Sequence, residues 1–207
     1  DLLQHALDHQ GEAARLRVAS RLDEHPDVTV AKLVSGKVTY AHRKLWPALA
    51  ALGSARESWQ VQGLSRMGRA LLARVLKEGQ LRTDRLFRWR VPFDSAQDKP
   101  PGSAREGSRG GKSKAVGEAA RELERRLLVH GEEFHTETGA HAKWLESWGH
   151  WARRVGLAGK KMTPEQAKKQ LAEVLGALNA RLGTEGRLPW EAATRRWTRS
   201  NRLALRG

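Results

Sequence analysis

The sequence predicts a mainly α-helical protein with small β hairpins. Three segments carry apolar residues at helical spacing between capping residues, whereas only short segments have the features of strands. The chain has 207 residues and no cysteine, so its fold must depend on apolar cores rather than on disulfides or thiolate-bound metals. No apolar run approaches the roughly 18 residues of a membrane span. We therefore expect a cytoplasmic protein with no membrane partner.

The charge balance indicates a polyanionic partner. The chain has 38 Lys and Arg residues against 23 Asp and Glu residues, a formal net charge of +15. A polycation gains affinity for nucleic acid because it releases condensed counterions from the phosphates. We expect nucleic acid as the partner, and duplex DNA before other forms. The sequence leaves the oligomeric state open.

The first region, residues 1–60, is predicted to be helical. Residues 1–24 have apolar residues at loose helical spacing. The β-rich segment from Val28 to Val34 fits either a strand or a buried helical turn. Residues 38–52 predict a buried helix, with Pro47 near a bend. This region is either a helical extension or a partial winged helix.

The second region, residues 61–160, opens with a strong helix signal. Apolar residues recur at helical spacing from Met67 and stop before Gly79, and Ser65 is suited to the N-cap. A short second helix is predicted over residues 81–87. Residues 94–113 are rich in proline, glycine and charge without any apolar period, which indicates a disordered insertion.

A further helix is predicted over residues 112–129, with one apolar and one charged face. The charged face carries Lys114, Glu118, Arg121 and Arg125 at i, i+4, i+7 and i+11. The segments 127–135 and 140–148 flank a turn-like tetrapeptide and indicate a β-hairpin. The rival interpretation is one helix over residues 140–155, since four apolar residues there also share a helical stripe. They are Trp144, Trp148, Trp151 and Val155.

The third region, residues 161–207, combines a helix with a basic arm. Thr163 and Gln166 form a capping box around Pro164, and Gly183 ends the helix. The arm that follows carries six arginines against one glutamate and has tryptophans interleaved with them.

Residues 61–160 follow the element order of a winged helix-turn-helix, alone or in tandem with the first region. In that fold the third helix enters the major groove, and the hairpin touches the DNA backbone or the minor groove. The sequence accordingly predicts DNA contacts from cations of the third helix, the hairpin and the basic arm. These residues are Lys112, Lys114, Arg121, Arg125, Lys143, Arg195, Arg196 and Arg199.

Two segments resemble the AlkZ/YcaQ family, winged-helix bacterial DNA glycosylases that unhook interstrand crosslinks. One is residues 36–49, GKVTYAHRKLWPAL, and the other runs from Arg121 to His130 and continues over residues 134–141. The resemblance implies a DNA-binding fold built from winged-helix units and a role near DNA repair, with or without catalysis. The alternative is a binding module without chemistry, such as a transcription regulator or an RNA- or ribosome-associated basic protein.

The same resemblance supplies weak catalytic candidates. Glycosylases of that family use a Gln-x-Gln or Gln-x-Asp element to position water at the sugar of the damaged nucleotide, and Gln60 and Gln62 match it. This match lies later in the chain than the family's element, in what reads as a polar connection between helices. The question of enzymatic activity is therefore left open.

A group of histidines is the one candidate for metal binding. His130, His135 and His141 lie near two glutamates, and imidazole with carboxylate is a zinc-binding combination. A helical HExxH motif is absent, and His130 and His135 point to opposite faces of a strand. Only His135 and His141 can face each other across the turn, so we expect neither a metal nor a cofactor.

Overall fold

The computed structural model describes residues 17–86, 109–157 and 162–191. Over these ranges the protein is a mostly helical α/β structure with two small antiparallel sheets. The predicted insertion over residues 94–113 lies almost entirely outside them, as do Arg195, Arg196 and Arg199 of the basic arm. None of the helices in these ranges is long and apolar enough to cross a membrane.

The described elements form three consecutive groups. The first consists of α1 (residues 17–23), β1 (Val28–Ala31), β2 (Thr39–His42), α2 (Trp46–Ala55) and α3 (Ser58–Val61). The second consists of α4 (Arg66–Glu78), β3 (Gln80–Arg82), α5 (Arg109–Arg125), β4 (His130–His135) and β5 (His141–Glu146). The third consists of α6 (Trp148–Arg154) and α7 (Pro164–Leu182). Short 3₁₀ turns occupy Val34–Gly36, Arg43–Leu45 and Thr83–Leu86.

The first group contains a two-stranded sheet in place of part of a predicted helix. The segment at Val28 is a strand, and residues 39–42 pair with it as β2. The prediction of a helix over residues 38–52 is therefore wrong in its first part. The helix begins at Trp46, and Pro47 lies in its first turn rather than at a bend. A proline is suited to that position because the first turn has no hydrogen-bond partner for a backbone N–H.

The first hydrophobic core joins the beginning and the end of the described chain. Helices α2, α6 and α7 pack together, and the indole of Trp151 is in edge contact with those of Trp46 and Trp148. Leu171 and Leu175 of α7 are buried against this core. The region boundaries at residues 60 and 160 remain a prediction, but α6 packs in the first core and also contacts His130 and Glu146 of the hairpin.

The second hydrophobic core lies between α4, α5 and the three-stranded sheet. Ser65 caps α4 as predicted, since its Oγ accepts a hydrogen bond from the Gly68 amide at 2.9 Å. The predicted short helix over residues 81–87 is wrong at its start, because residues 80–82 form β3 and pair with β5. Only the 3₁₀ turn Thr83–Leu86 remains of it.

The predicted hairpin over residues 127–148 is confirmed, and α6 follows it directly. β4 pairs with β5, and β3 adds on the other side of β5 to give the order β3-β5-β4. The rival single helix over 140–155 is wrong for Trp144, which lies on β5. It is right for Trp148 and Trp151, which lie on α6.

Candidate nucleic-acid interface

Helix α5 presents a basic face to solvent. Val116, Ala119, Ala120 and Leu123 are buried in the second core. Because 3.6 residues make a turn, the charged set Lys114, Glu118, Arg121 and Arg125 falls on the opposite side, and all four are exposed. The predicted division of this helix into a packed and a charged face is confirmed. The backbone of Lys112 belongs to α5, but its side chain lies outside the described part.

The two arginines of this face keep their guanidinium groups available. Among the described residues, Arg121 makes no ion pair, and the one hydrogen bond that Arg125 donates runs from Nε to the Arg121 carbonyl, at 3.3 Å. The aliphatic stem of Arg125 passes close to Gly36, where an added Cβ would lie 3.6 Å from Arg125 Cδ. This contact places the C-terminal end of the basic face beside the turn between β1 and β2.

A third arginine of α5 has a different task. Arg126 turns toward the chain after α3, and its Nη1 donates to the carbonyls of Gln62 at 2.7 Å and Gln60 at 3.2 Å. Glu122 on the same side accepts hydrogen bonds from the amide and hydroxyl of Ser65. These contacts join α5 to the segment before α4, so Arg126 stabilises the fold rather than adding to the basic face.

Lys143, which the sequence predicts to extend the DNA footprint along the hairpin, lies within a cluster of carboxylates. Its Nζ lies 2.8 Å from both carboxylate oxygens of Glu124 and 3.0 Å from Glu133. Burial lowers the pKa of Lys143, but the hydrogen bonds that its ammonium donates to Glu124 and Glu133 outweigh burial and raise that pKa. Lys32 completes the cluster at 3.3 Å from Glu124. The ammonium is therefore charged but already neutralised, with its three protons directed at carboxylates.

The two glutamines of the Gln-x-Gln match do not face a common space. Gln60 is 0% exposed, accepts from the Glu57 amide at 2.8 Å and donates to the carbonyls of Arg126 and Leu127. Gln62 is exposed at the end of α3. The sequence-based description of this segment as a loose polar connection is wrong for Gln60, since α3 and its capping box hold that side chain firmly inside the protein.

The amide of Gln60 supports an unusual corner of the backbone. Leu127, two residues after the end of α5, has a left-handed conformation with φ of +52°, and the Leu128 amide donates back to the Leu123 carbonyl. This is the geometry of a helix C-terminus that glycine normally provides. The two hydrogen bonds from Gln60 hold the carbonyls at this corner and so fix where β4 begins.

The histidines divide into an exposed pair and a buried single residue. His135 and His141 face each other across the turn with ring centroids 4.4 Å apart, as predicted. His130 is 7% exposed, lies against the rings of Trp148 and Trp151, and has Nε2 3.0 Å from Thr29 Oγ1. Its burial lowers the pKa to about 4, so the imidazole is neutral at pH 7.

A buried carboxylate accompanies His130 on the neighbouring strand. Glu146 accepts hydrogen bonds from Arg154 Nε at 3.1 Å and Arg154 Nη2 at 2.7 Å, and it lies 2.6 Å from His150 Nδ1. Burial raises the pKa of Glu146, but hydrogen bonds from Arg154 and His150 outweigh it and lower that pKa, so the carboxylate stays ionised. Within the described ranges, no group of three acidic, histidine or cysteine residues could hold a metal ion.

Sequence reasoning missed this histidine–glutamate pair, although the hairpin contains a signal for it. In an antiparallel hairpin the pairing of two residues next to the turn fixes all the other pairs. With His135 opposite His141, the register places His130 opposite Glu146. The burial of the pair has no such signal, because it depends on α6 folding back over the sheet.

Comparisons with protein-family models, with curated proteins and with solved structures give no match to this chain.

Proposed function

We propose that this chain is a DNA-binding protein of winged-helix type, with α5 as the helix that enters the major groove. The observation that carries the proposal is the exposed face of α5, with Lys114, Arg121 and Arg125 opposite its packed face. The element order around it supports the proposal. A helix, a strand, a second helix and a hairpin build a sheet in which β3 pairs with β5 beside the hairpin, as in a winged helix.

The spacing of the cations suits a duplex. Lys114 and Arg125 are eleven residues apart, which is about 16 Å along a helix axis. The major groove is about 12 Å wide. With α5 lying along the groove, Lys114, Arg121 and Arg125 project from one face over this length and reach phosphates along the groove.

The role near DNA repair is the second part of the proposal, and it rests on the resemblance of residues 36–49 and 121–141 to the crosslink-repair glycosylases. We infer binding rather than base excision. A water-positioning glutamine needs a free amide beside the substrate, whereas the Gln60 amide already donates hydrogen bonds to the backbone carbonyls of Arg126 and Leu127. The protein then recognises distorted DNA without cleaving a glycosidic bond through this pair.

The first test is the affinity for a short labelled duplex, measured by fluorescence anisotropy. Replacing Arg121 and Arg125 together with alanine should weaken binding by at least about ten-fold, since each change removes a contact to phosphate or base. The charge-matched control replaces Lys169 and Arg181 with alanine; both are exposed on α7. Equal loss in the two double variants would refute the α5 interface.

The second test addresses the repair role alone. The protein should bind a duplex that contains an abasic site or a crosslink more tightly than the intact duplex of the same sequence, because distorted DNA costs less to deform further. Equal affinities would leave a DNA-binding module and remove the repair part of the proposal.

A further inference from the structure

The face of the three-stranded sheet that points away from α5 carries charged, polar and aromatic side chains. Arg82 lies opposite Trp144, and Trp144 lies opposite Glu132, so these three share one face. Gln80, Glu146 and His130 form the neighbouring row on the same face. At the base of the hairpin α6 covers His130 and Glu146 of this second row, whereas Gln80 is exposed and Trp144 remains 37% exposed.

The indole of Trp144 is held in place while part of its surface stays open. The Phe134 ring packs beside it, with centroids 5.9 Å apart. The guanidinium of Arg82 lies over both rings, at 4.5 Å from Phe134 and 5.5 Å from Trp144, and Asp84 fixes it through two hydrogen bonds. A large exposed aromatic side chain with this support is a preorganised stacking surface.

A pocket of about 250 Å³ lies next to this indole, and most of the residues that line it carry polar groups. It is lined by Gln80, His130, Glu132, Trp144, Glu146 and Arg154. His130 and Glu146 are nine-tenths buried, and the contacts of Glu146 with Arg154 and His150 fix the position of its carboxylate. The side of the pocket nearest the core is therefore rigid.

Three of the lining residues have hydrogen-bonding atoms without partners in the described structure. The Gln80 amide and the Glu132 carboxylate are exposed and make no hydrogen bond or ion pair there. Arg154 uses Nε and one terminal nitrogen on Glu146, which leaves its other terminal nitrogen as a donor. The pocket thus offers an amide that both donates and accepts, a carboxylate acceptor and a guanidinium donor beside one aromatic ring.

We propose that this pocket binds a single unpaired nucleobase, stacked on Trp144 with its polar edge toward Gln80, Glu132 and Arg154. Drug-sized ligands need roughly 300–1,000 Å³, so a pocket of about 250 Å³ suits one small planar ring system. Every nucleobase combines an aromatic face with donors and acceptors along one edge, which this set of side chains complements. The carboxylates of Glu132 and Glu146 disfavour a free phosphate or another small anion.

A base carried by a strand and the base of a free nucleoside share this chemistry. The strand-borne case rests on the proposed DNA binding, with an unpaired or extruded base reaching the outer sheet face. The nucleoside case is independent of it.

The test uses the full chain labelled with 5-fluorotryptophan and observed by fluorine NMR. The Trp144 resonance is assigned as the one missing from the Trp144→Phe protein. Guanosine, adenosine, cytidine, thymidine and a short single-stranded oligonucleotide are then titrated separately. A saturable shift of the Trp144 resonance with a nucleoside identifies the free ligand as a source, and a shift with the oligonucleotide alone identifies a strand. No shift with any of them overturns the proposal.

Variants separate this site from the α5 interface. Trp144→Ala should weaken binding of the shifting ligand at least about five-fold, the lower end of the range for base–aromatic stacks. Trp144→Phe should retain most of the affinity, and Gln80→Ala and Glu132→Ala should each weaken it. Leu178→Ala removes an apolar side chain of similar exposure on α7 and is the control. Unchanged affinity in Trp144→Ala overturns the proposal even where a shift is seen.

The two interfaces fail in different ways. Trp144→Ala should leave the affinity for intact duplex unchanged, while the Arg121 and Arg125 double variant should still show the nucleoside-induced shift. If no ligand shifts the Trp144 resonance although the wild-type protein binds duplex DNA, only the pocket proposal is overturned. If a nucleoside shifts the Trp144 resonance but the wild-type protein does not bind duplex DNA, only the proposed function is overturned.

Discussion

Replacing Gln60 with alanine should destabilise the protein without affecting any chemistry. The variant leaves the Leu127 carbonyl, in a fully buried contact, and the partly buried Arg126 carbonyl without their donor. A buried polar group that loses its partner costs about 1–3 kcal/mol. Since the second carbonyl retains some access to solvent, we expect the free energy of unfolding to fall by about 2–4 kcal/mol. For a chain of this size the midpoint of thermal unfolding should then fall by roughly 5–15 °C.

Urea unfolding followed by circular dichroism measures this change. Gln60→Met nearly preserves the side-chain volume, so its loss of stability reports on the hydrogen bonds rather than on a cavity. Gln62→Ala is the matched control, and its stability should change by less than about 0.5 kcal/mol, since that side chain is exposed. A Gln60→Ala protein with normal stability that had lost a base-excision activity would refute the reasoning and make Gln60 a catalytic residue.

Three further substitutions or conditions test the packing and the charges. The free energy of unfolding should fall by about 3 kcal/mol between pH 6.5 and 4. His130 in the unfolded chain binds a proton below pH 6.5, whereas in the folded chain its pKa is about 4. Urea unfolding of His130→Gln should lack this part of the pH dependence. Lys143→Met should lower the free energy of unfolding by about 3 kcal/mol, because the buried Glu124 keeps only Lys32 as its partner. The affinity for duplex DNA should change less than two-fold, and a ten-fold loss would show that Lys143 contacts DNA. Gly53→Ala should cost about 1–3 kcal/mol in thermal unfolding, because its Cβ would lie 2.2 Å from Trp148 Cδ1, whereas Gly176→Ala, which meets nothing within 4 Å, should not destabilise the protein.

The helices that the sequence predicts well are those whose signals are local. Ser65 caps α4, and Thr163 with Gln166 forms the capping box of α7, because a cap and its helix are neighbours in the chain. The hairpin is predicted for the same reason, since its turn lies between its strands. The charged face of α5 follows from helical periodicity alone.

The features that the sequence does not predict depend on distant partners. β2 lies at the start of the segment 38–52, for which the sequence predicts one helix, and it is a strand through its pairing with β1. Lys143 has the charge expected of a phosphate ligand, but Glu124 approaches it across the packing of α5 on the sheet. Leu127 takes a conformation that usually marks glycine, and it is held there by Gln60 from a different part of the chain.

The salt dependence of duplex binding tests the central claim, that the exposed cations of α5 contact DNA, most directly. Affinity is measured between about 50 and 200 mM salt for the wild type, for Arg121→Ala and for Arg125→Ala. Each phosphate contact contributes nearly one to the slope of log affinity against log salt concentration. The account predicts a steep slope in the wild type that each substitution reduces by about one. A slope near zero, or one that both substitutions leave unchanged, would contradict it.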